Sequence, residues 1–391
     1  MEQESTLTSN KTVAIIGAGP AGCACAKFLQ DSCEITLFDK GNFLRTILPT
    51  GGGRCNLAHK EDDYIALAKN YPRGEKFLYS VLSRFGTSDT IDFFYDIGIK
   101  TYVQEDNRIF PVSNSSKEVK EKLLKSLKCK FAKEEVLKIE RINNCFKIKT
   151  NKCSYAFDYV VIASGGHSNY DMIENIGISI ITPTQSLVGL TTSEDFSSIA
   201  GVSLKNVLFK NKSCYWHDDI IFTHKGISGP LIYKISSIFA RDKIPFKISL
   251  KLTDNIDLQT ELNNNSKKEI KNLLGAYIPK SLAVYILKTL NIDENLQCHK
   301  IDSKKRDAIL NQLYNFTFTV TGKVADSEVV TCGGVDLKEI NPKTLEAKKQ
   351  KGLFFCGEVL DIDGFCGGFN LQNCWSTGYV VAESIKKELS Y

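Results

Sequence analysis

The chain has 391 residues, 50 of them basic and 45 acidic, for a net charge of +5, with 42% hydrophobic and 24% charged residues. That length exceeds one ordinary core and implies two or three domains, and the composition is that of a globular chain. The charge excess does not by itself mark a nucleic-acid binder, and no apolar run approaches the ~20 residues that span a bilayer, so no membrane partner is expected.

The first ten residues, MEQESTLTSN, are polar and carry acid, unlike a signal or transit peptide. Val13 to Ile16 is an unbroken apolar run of the kind a buried parallel strand presents. It enters Gly17-Ala18-Gly19-Pro20-Ala21-Gly22 directly. In such a junction the first glycine permits a tight turn, the second lets backbone approach a pyrophosphate, and the third lets the next helix pack on the strand. The helix N-terminus adds free N–H groups and a positive dipole end. A helix-like run, Cys23 to Gln30, and a second strand, Glu34 to Phe38, follow, and Asp39 stands about twenty residues past the first glycine, where a ribose hydroxyl is held. Strand, glycines, helix, strand and acid in this order predict a dinucleotide site whose contacts include Gly17, Gly19, Pro20, Ala21, Gly22, Asp39 and Lys40. Asp39 favours an unphosphorylated ribose, as in FAD or NAD.

After a loop from Gly41 to Pro49 comes Thr50-Gly51-Gly52-Gly53-Arg54-Cys55-Asn56. Gly52 and Gly53 keep side chains out of the way, Arg54 adds a fixed fork of donors and Asn56 adds an amide, so this backbone is expected to lie against a flat or anionic ligand. Residues 62–71 and 76–98 carry helical periodicity, and Ser115 and Ser116 can cap a helix from Lys117 to Leu127. The segments EEVLKIE and CFKIKT read as a hairpin. Val160 to Ala163 reads as a buried strand ending in Ser164-Gly165-Gly166, a second approach of backbone to the same ligand at Ala163, Ser164 and Gly165.

From Thr182 the texture changes to short strands and turns, interrupted by His224-Lys225-Gly226-Ile227-Ser228-Gly229-Pro230, a glycine-rich turn that enters a helix at Pro230. Asp257 to Leu313 is helical, broken at Asn263 to Ser266, and Phe316 to Gly322 returns to strand. The opening style resumes at Val329 to Val335. A buried strand, Gly352 to Cys356, then ends in Gly357-Glu358, followed by Asp361, and Gly364 to Gln372 leads into a helix from Asn373 to Lys387. The expected division is 1–190 and 331–391 as one discontinuous nucleotide-binding domain, 191–256 and 316–330 as an inserted β-domain, and 257–315 as a helical subdomain. No second GxGxxG follows a later strand, so a reduced nicotinamide would have to visit the face of a cofactor already bound. Thirteen cysteines, an odd number without a CxxC pair, fit reduced thiols in the cytoplasm and exclude a disulfide of that type as an electron relay. No metal-ligand spacing is present.

With these residues in view the chain resembles the BaiN-like, aminoacetone-oxidase-type flavoproteins over nearly its whole length. The resemblance rests on GAGPAG at 17–22, TGGGRCN at 50–56, NRIFP at 107–111, THKGISGP at 223–230, TCGGV at 331–335, NPKTLEAK at 341–348 and GLFFCGEVLDIDGFCGGFNLQNCWSTG at 352–378. It implies an α/β fold with a Rossmann-like, glutathione-reductase-type FAD domain, an inserted β-barrel-like domain and a helical subdomain. It implies non-covalent FAD, with Gly17, Gly19 and Gly22 on the pyrophosphate, Asp39 on the adenosine ribose, and Gly52, Gly53, Arg54 and Asn56 along the flavin. Ala163 to Gly166 would form a second contacting turn. Gly357 and Glu358 stand where related folds carry Gly-Asp for the ribitol, a role Asp361 can share. Gly368, Phe369, Asn370 and Leu371 open the last helix, whose dipole would stabilise negative charge on the flavin's pyrimidine edge. Cys332 occupies a position where the family carries small residues.

The activity this implies is an FAD-dependent oxidoreductase in which NAD(P)H reduces the flavin and the flavin reduces an unsaturated small-molecule acceptor. The alternatives are reduction of a uridine in ribosomal RNA, permitted by the lysine-rich segments 117–152 and 267–306, and an oxygen-using amine oxidase. A non-catalytic flavin-binding protein is the reading from another class. Cys55, beside Arg54, is the candidate proton donor, against the alternative of a small packing residue, and His224 is a second.

Overall fold

In the computed structural model, which describes residues 11–211, 214–325 and 330–390, the apolar run after Thr12 forms the central strand of a parallel sheet. Residues 1–10, the polar stretch read as unlike a signal or transit peptide, and 326–329, at the expected edge of the inserted domain, lie outside the described residues. The chain divides into two units, Met1–Thr184 with Val330–Tyr391, and Gln185–Val329.

The first unit is built on β1 (Thr12–Ile16), β2 (Glu34–Asp39), β3 (Lys130–Lys133), β4 (Tyr159–Ile162) and β5 (Leu353–Phe355). Their order is β5-β4-β1-β2-β3, and every pairing is parallel. Val13, Ala14 and Ile15 are wholly buried, as strands covered on both faces must be. Ile16 lies beside both Ile162 and Phe38, so β1, β2 and β4 end at one level. The sequence pattern did not mark β3: only Ala132 of its four residues is buried, and an edge strand so charged has no apolar run to betray it.

Helix α1 (Pro20–Leu29) follows β1, α2 (Thr87–Asp96) caps its own N-terminus through Asp89, and α3 (Phe369–Leu389) closes the chain. The last helix begins four residues before the expected Asn373, because Gly368 at φ +99° turns the chain into it without any side-chain cap to read. Gly378 of α3 packs on α1 so closely that a Cβ there would lie 2.8 Å from the Ala21 carbonyl oxygen. Trp375 is fully buried and its indole N–H donates to Leu57 O at 2.9 Å. Three antiparallel strands, Val136–Ile142, Cys145–Thr150 and Ser154–Phe157, form a second sheet. The chain leaves that sheet for β4 at Asp158, whose carboxylate accepts from the Thr12 N–H and hydroxyl, each at 2.9 Å.

The second unit is a closed six-stranded barrel ordered Leu190–Thr192, Gly226–Ser228, Tyr215–Thr223, Ser203–Lys210, Phe246–Lys251 and Phe316–Lys323. Helices Leu258–Asn264, Ile270–Leu274, Lys280–Thr289 and Ser303–Tyr314 lie between its last two strands in sequence and share its core, with Phe196 against both Phe316 and Tyr285. The α/β fold with an inserted barrel and helices is therefore present. All thirteen cysteines are free thiols. Among the described residues no helix is long and apolar enough to cross a membrane, and no cluster of three or more metal-ligating side chains occurs.

Candidate dinucleotide site

The site is assembled in the first unit where β1, β2 and β4 end. Gly17 (φ +106°) accepts no side chain, since a Cβ would lie 2.4 Å from the Ala163 carbonyl oxygen. The first glycine therefore answers to the crossing of the two strand-to-glycine junctions. Gly22 answers to helix packing, because a Cβ there would lie 1.9 Å from Gly17 O. Gly19 and Gly165 differ from both: an added Cβ would meet nothing described within 4 Å. Gly19 is the N-cap of α1 and supplies no side-chain cap, with Pro20 next, so the first-turn amides of a ten-residue helix have no capping side chain. Asp39 is oriented by two backbone donors, Ala18 N to Oδ2 at 2.9 Å and Gly41 N to Oδ1 at 2.7 Å. Each oxygen retains a lone pair for a ribose hydroxyl. Lys40 turns away to a surface ion pair with Glu135 at 3.2 Å.

The loop 50–56 is bound to the start of α3. With its amide oriented to satisfy both polar atoms, buried Asn56 donates to Ala58 O and accepts from Gly368 N, each at 3.0 Å. Gly368 must be glycine, since a Cβ would lie 2.4 Å from Ala58 O. Arg54 folds back over its own loop, with its guanidinium 4.0 Å from the Phe110 ring centroid, Nε donating to Gly51 O (3.2 Å) and an Nη donating to Gln104 Oε1 (3.3 Å). Gly52 (φ +68°) faces open space, whereas Gly51 lies under Phe110. Cys55 is wholly buried at φ +66°. Burial pushes its thiol up to about 12, against a lowering hydrogen bond with Thr50, so it stays protonated at neutral pH.

Over residues 11–384 the chain matches the family described as the HI0933-like protein Rossmann domain. It belongs to that family. It is 30% identical to the ribosomal RNA dihydrouridine synthase of Haemophilus influenzae, covering 96% of this chain and 98% of that one. It is 28% identical to the Escherichia coli protein of the same description (95% and 97%). It is 27% identical to the 3-dehydro-bile acid delta(4,6)-reductase of Clostridium scindens (95% and 98%). Among solved structures it is similar to an E. coli quinol fumarate reductase chain, with a TM-score of 0.52 and 13% identity over 97% of this chain and 71% of that one. A flavocytochrome c3 fumarate reductase gives 0.50 and 14%, over 97% and 79%. At such identities the likeness establishes the fold alone. Family and fold are those of FAD-type Rossmann oxidoreductases.

In this HI0933-like chain several expected contacts are engaged with protein. Gly357 packs on α1, where a Cβ would lie 2.6 Å from that of Ala21. Glu358 accepts from Thr331 N at 2.8 Å. Asp361 lies within electrostatic reach of Arg73, a half-buried guanidinium held mainly by Asp363, which is itself fully buried. Ser164 is hydrogen-bonded to Ser168 through their hydroxyls. Asn370 clasps Gly364 with both amide atoms, each at 2.8 Å. Phe369 is buried and stacks on His59 at 4.6 Å, while Leu371 is only partly buried. His224 is exposed at the hairpin turn between two barrel strands, and the glycines after it serve close packing of the barrel, a Cβ at Gly226 lying 2.2 Å from Leu190 O.

Two residues that sequence reasoning passed over, Tyr71 and His59, fasten the first third of the chain to the start of α3. The Tyr71 hydroxyl donates to Phe369 O at 2.6 Å. His59 Nδ1 lies 3.2 Å from Gly367 O, and burial lowers the pKa of that imidazole. Asn373 Oδ1, in the second turn of α3, is the one buried side-chain oxygen among the described residues without a hydrogen-bond partner. Nothing in spacing announces Tyr71 or His59, because their partners lie about three hundred residues away. A dinucleotide fits this site: the glycines lacking neighbours, the uncapped α1 amides and the free lone pairs of Asp39 are groups that a bound FAD would satisfy.

Proposed function

We propose that the chain binds FAD at this cradle, as the BaiN-like resemblance implies, and reduces a carbon–carbon double bond conjugated to a carbonyl, with NADH or NADPH as donor, in the cytoplasm. The observation that carries the cofactor reading is the contrast among the glycines. Gly17 and Gly22 are required by backbone packing, whereas Gly19, Gly52 and Gly165 border space that protein leaves open. The acceptor reading is supported by the relatives' names. A dihydrouridine is a uridine with two hydrogens added across C5=C6, and a delta(4,6)-reductase saturates carbon–carbon double bonds as well. The two RNA-named relatives favour a uridine of ribosomal RNA as the acceptor. The bile-acid relative supports a small unsaturated ketone as the second reading.

Bound FAD would supply hydride transfer, from a nicotinamide to the acceptor's β-carbon. The chain's own part is to bind, orient and furnish a proton. The Gly19 backbone and α1 N-terminus would hold the pyrophosphate, Asp39 the adenosine ribose, and Glu358 with Asp361 the ribitol. The start of α3, fastened through Asn56 and Tyr71, would set its dipole toward the flavin's pyrimidine edge. Cys55 is assigned the proton that completes the added hydrogen pair: burial keeps its thiol neutral, and a thiol is acidic enough to protonate an enolate carbon.

Dihydrouridine mapped in ribosomal RNA from cells with and without the gene tests the acceptor; loss of a site with the gene is expected, and an unchanged map removes the RNA reading. A purified protein that is colourless and cannot be reconstituted with FAD would refute the cofactor. Anaerobic bleaching of the bound flavin by NADH or NADPH is expected of the donor.

A further inference from the structure

The chain enters α3 through two consecutive glycines in the left-handed region, Gly367 at φ +139° and Gly368 at φ +99°. Neither has room for a side chain: a Cβ would lie 2.8 Å from the Phe369 ring at the first and 2.4 Å from Ala58 O at the second. With no Cβ on either side, the peptide group between them has little to resist rotation except its hydrogen bonds. Both polar atoms of that one group are held, and from one short segment. Its N–H donates to Asn56 Oδ1 at 3.0 Å, and its carbonyl oxygen, Gly367 O, lies 3.2 Å from His59 Nδ1. A carbonyl only accepts, so Nδ1 carries the hydrogen. The imidazole is itself fixed for this bond. His59 lies in the two-residue strand Ala58–His59, paired with Arg108–Pro111, and its own carbonyl accepts from the Thr87 hydroxyl at 2.9 Å. Its ring stacks on Phe369 at 4.6 Å, with 29° between the planes. The first-turn N–H groups of α3 that follow this peptide receive no side-chain cap.

We infer that His59 is a positioning residue for the FAD site: with Asn56 it locks the Gly367–Gly368 peptide, and so fixes the direction in which the uncapped first-turn amides of α3 meet the flavin. The inference rests on the FAD reading above. It separates two parts of the histidine. The donor on Nδ1 does the positioning, and the stack on Phe369 serves packing. A peptide left free at its carbonyl end rotates about the flanking glycine bonds, and binding then costs the ordering of that turn. The reduced flavin also gathers negative charge at the edge that the helix end faces, so amides that stray from it stabilise the reduced form less.

Two variants of the full chain divide those parts, and the half-buried side chain leaves room for both. His59→Phe keeps a ring to stack and removes the donor. His59→Asn removes the ring and sets an amide N–H near the place of Nδ1. Hydrogen exchange over residues 364–372 of the flavin-free protein, read by mass spectrometry, is expected to quicken in the Phe variant and to match the wild type in the Asn variant. The Kd for FAD should rise about threefold to tenfold in His59→Phe, the scale of one hydrogen bond, and stay within about twofold of the wild type in His59→Asn. The midpoint potential of the bound flavin should fall in His59→Phe alone. Equal exchange in the wild type and His59→Phe overturns the lock. Quickened exchange with FAD affinity and potential unmoved overturns the positioning role, and an Asn variant as weak as the Phe variant assigns the effect to the ring and overturns it too. A wild type that binds no FAD overturns the cofactor reading and the positioning role with it, while the exchange measurement still decides the lock.

Discussion

The glycines at 17–22 can be separated by two alanine substitutions with opposite consequences. Gly19 has φ −79° and ψ −173°, an extended conformation that alanine adopts freely, and its added Cβ meets nothing described. Gly19→Ala should leave the unfolding free energy of the apo-protein within ~0.5 kcal/mol of the wild type. If the pyrophosphate lies on this backbone, the methyl group displaces it from at least one charge-assisted hydrogen bond. That loss is ~1.5–3 kcal/mol, or roughly a 10- to 150-fold rise in Kd for FAD. Gly22→Ala has the reverse profile. Its Cβ would sit 1.9 Å from Gly17 O, a backbone atom that cannot swing away, so α1 must shift off β1. Overpacking of this kind costs at least the upper end of ~1–3 kcal/mol, and the ~1 kcal/mol by which alanine outperforms glycine in a helix offsets part of it. A net loss of about 2 kcal/mol lowers Tm by ~4–8 °C in a unit of this size. Scanning fluorimetry on deflavinated protein measures the stability arm, and quenching of FAD fluorescence on titration measures the binding arm. Wild-type FAD affinity in Gly19→Ala would refute the placement of the pyrophosphate, and an unshifted Tm in Gly22→Ala would refute the packing argument.

Asn56→Leu removes the bond from Gly368 N and the bond to Ala58 O that Asn56 makes; a loss of ~1–3 kcal/mol is expected in urea unfolding, and Asn56→Asp, which keeps the acceptor for Gly368 N, should lose less. Cys55→Ala should retain FAD while slowing acceptor reduction, and unchanged turnover in stopped-flow assays would return Cys55 to a packing role. Burial holds the Cys55 and Cys374 thiols at about 12, above their ordinary 9.0. Their folded-state pKa is raised, so the stability they contribute is complete below pH 9 and is lost progressively as pH rises toward 12. The urea midpoint should therefore fall from pH 8.5 to pH 10.5 by less in Cys374→Ala than in the wild type; equal slopes would exclude that thiol as a contributor.

The fold was legible where burial forces a pattern. Val13–Ile16, Val160–Ile162 and Leu353–Phe355 are apolar because both sheet faces are covered, and the first runs straight into Gly17, which must be glycine where it crosses Ala163. The same logic fails at β3, an edge strand with one buried residue, and at the start of α3, where Gly368 turns the chain with no capping side chain to mark it.

The site was legible only in part, for a different reason. A GxGxxG pattern states that glycine is needed, without saying whether backbone or ligand needs it. At Gly17, Gly22 and Gly368 the structure answers backbone, in atoms of Ala163, Gly17 and Ala58, and at Gly357 it answers the Ala21 methyl group of α1. At Gly19, Gly52 and Gly165 it answers open space. The polar residues divide likewise, since Lys40 and Asn370 spend their side chains on Glu135 and Gly364, while Asp39 keeps capacity on both oxygens. Spacing cannot draw this distinction, because at Gly17, Gly357 and Gly368 the deciding neighbour lies more than a hundred residues away. A ligand-facing residue is the one whose tertiary contacts leave a donor, an acceptor or a volume unfilled, and that is a property of the fold rather than of the motif.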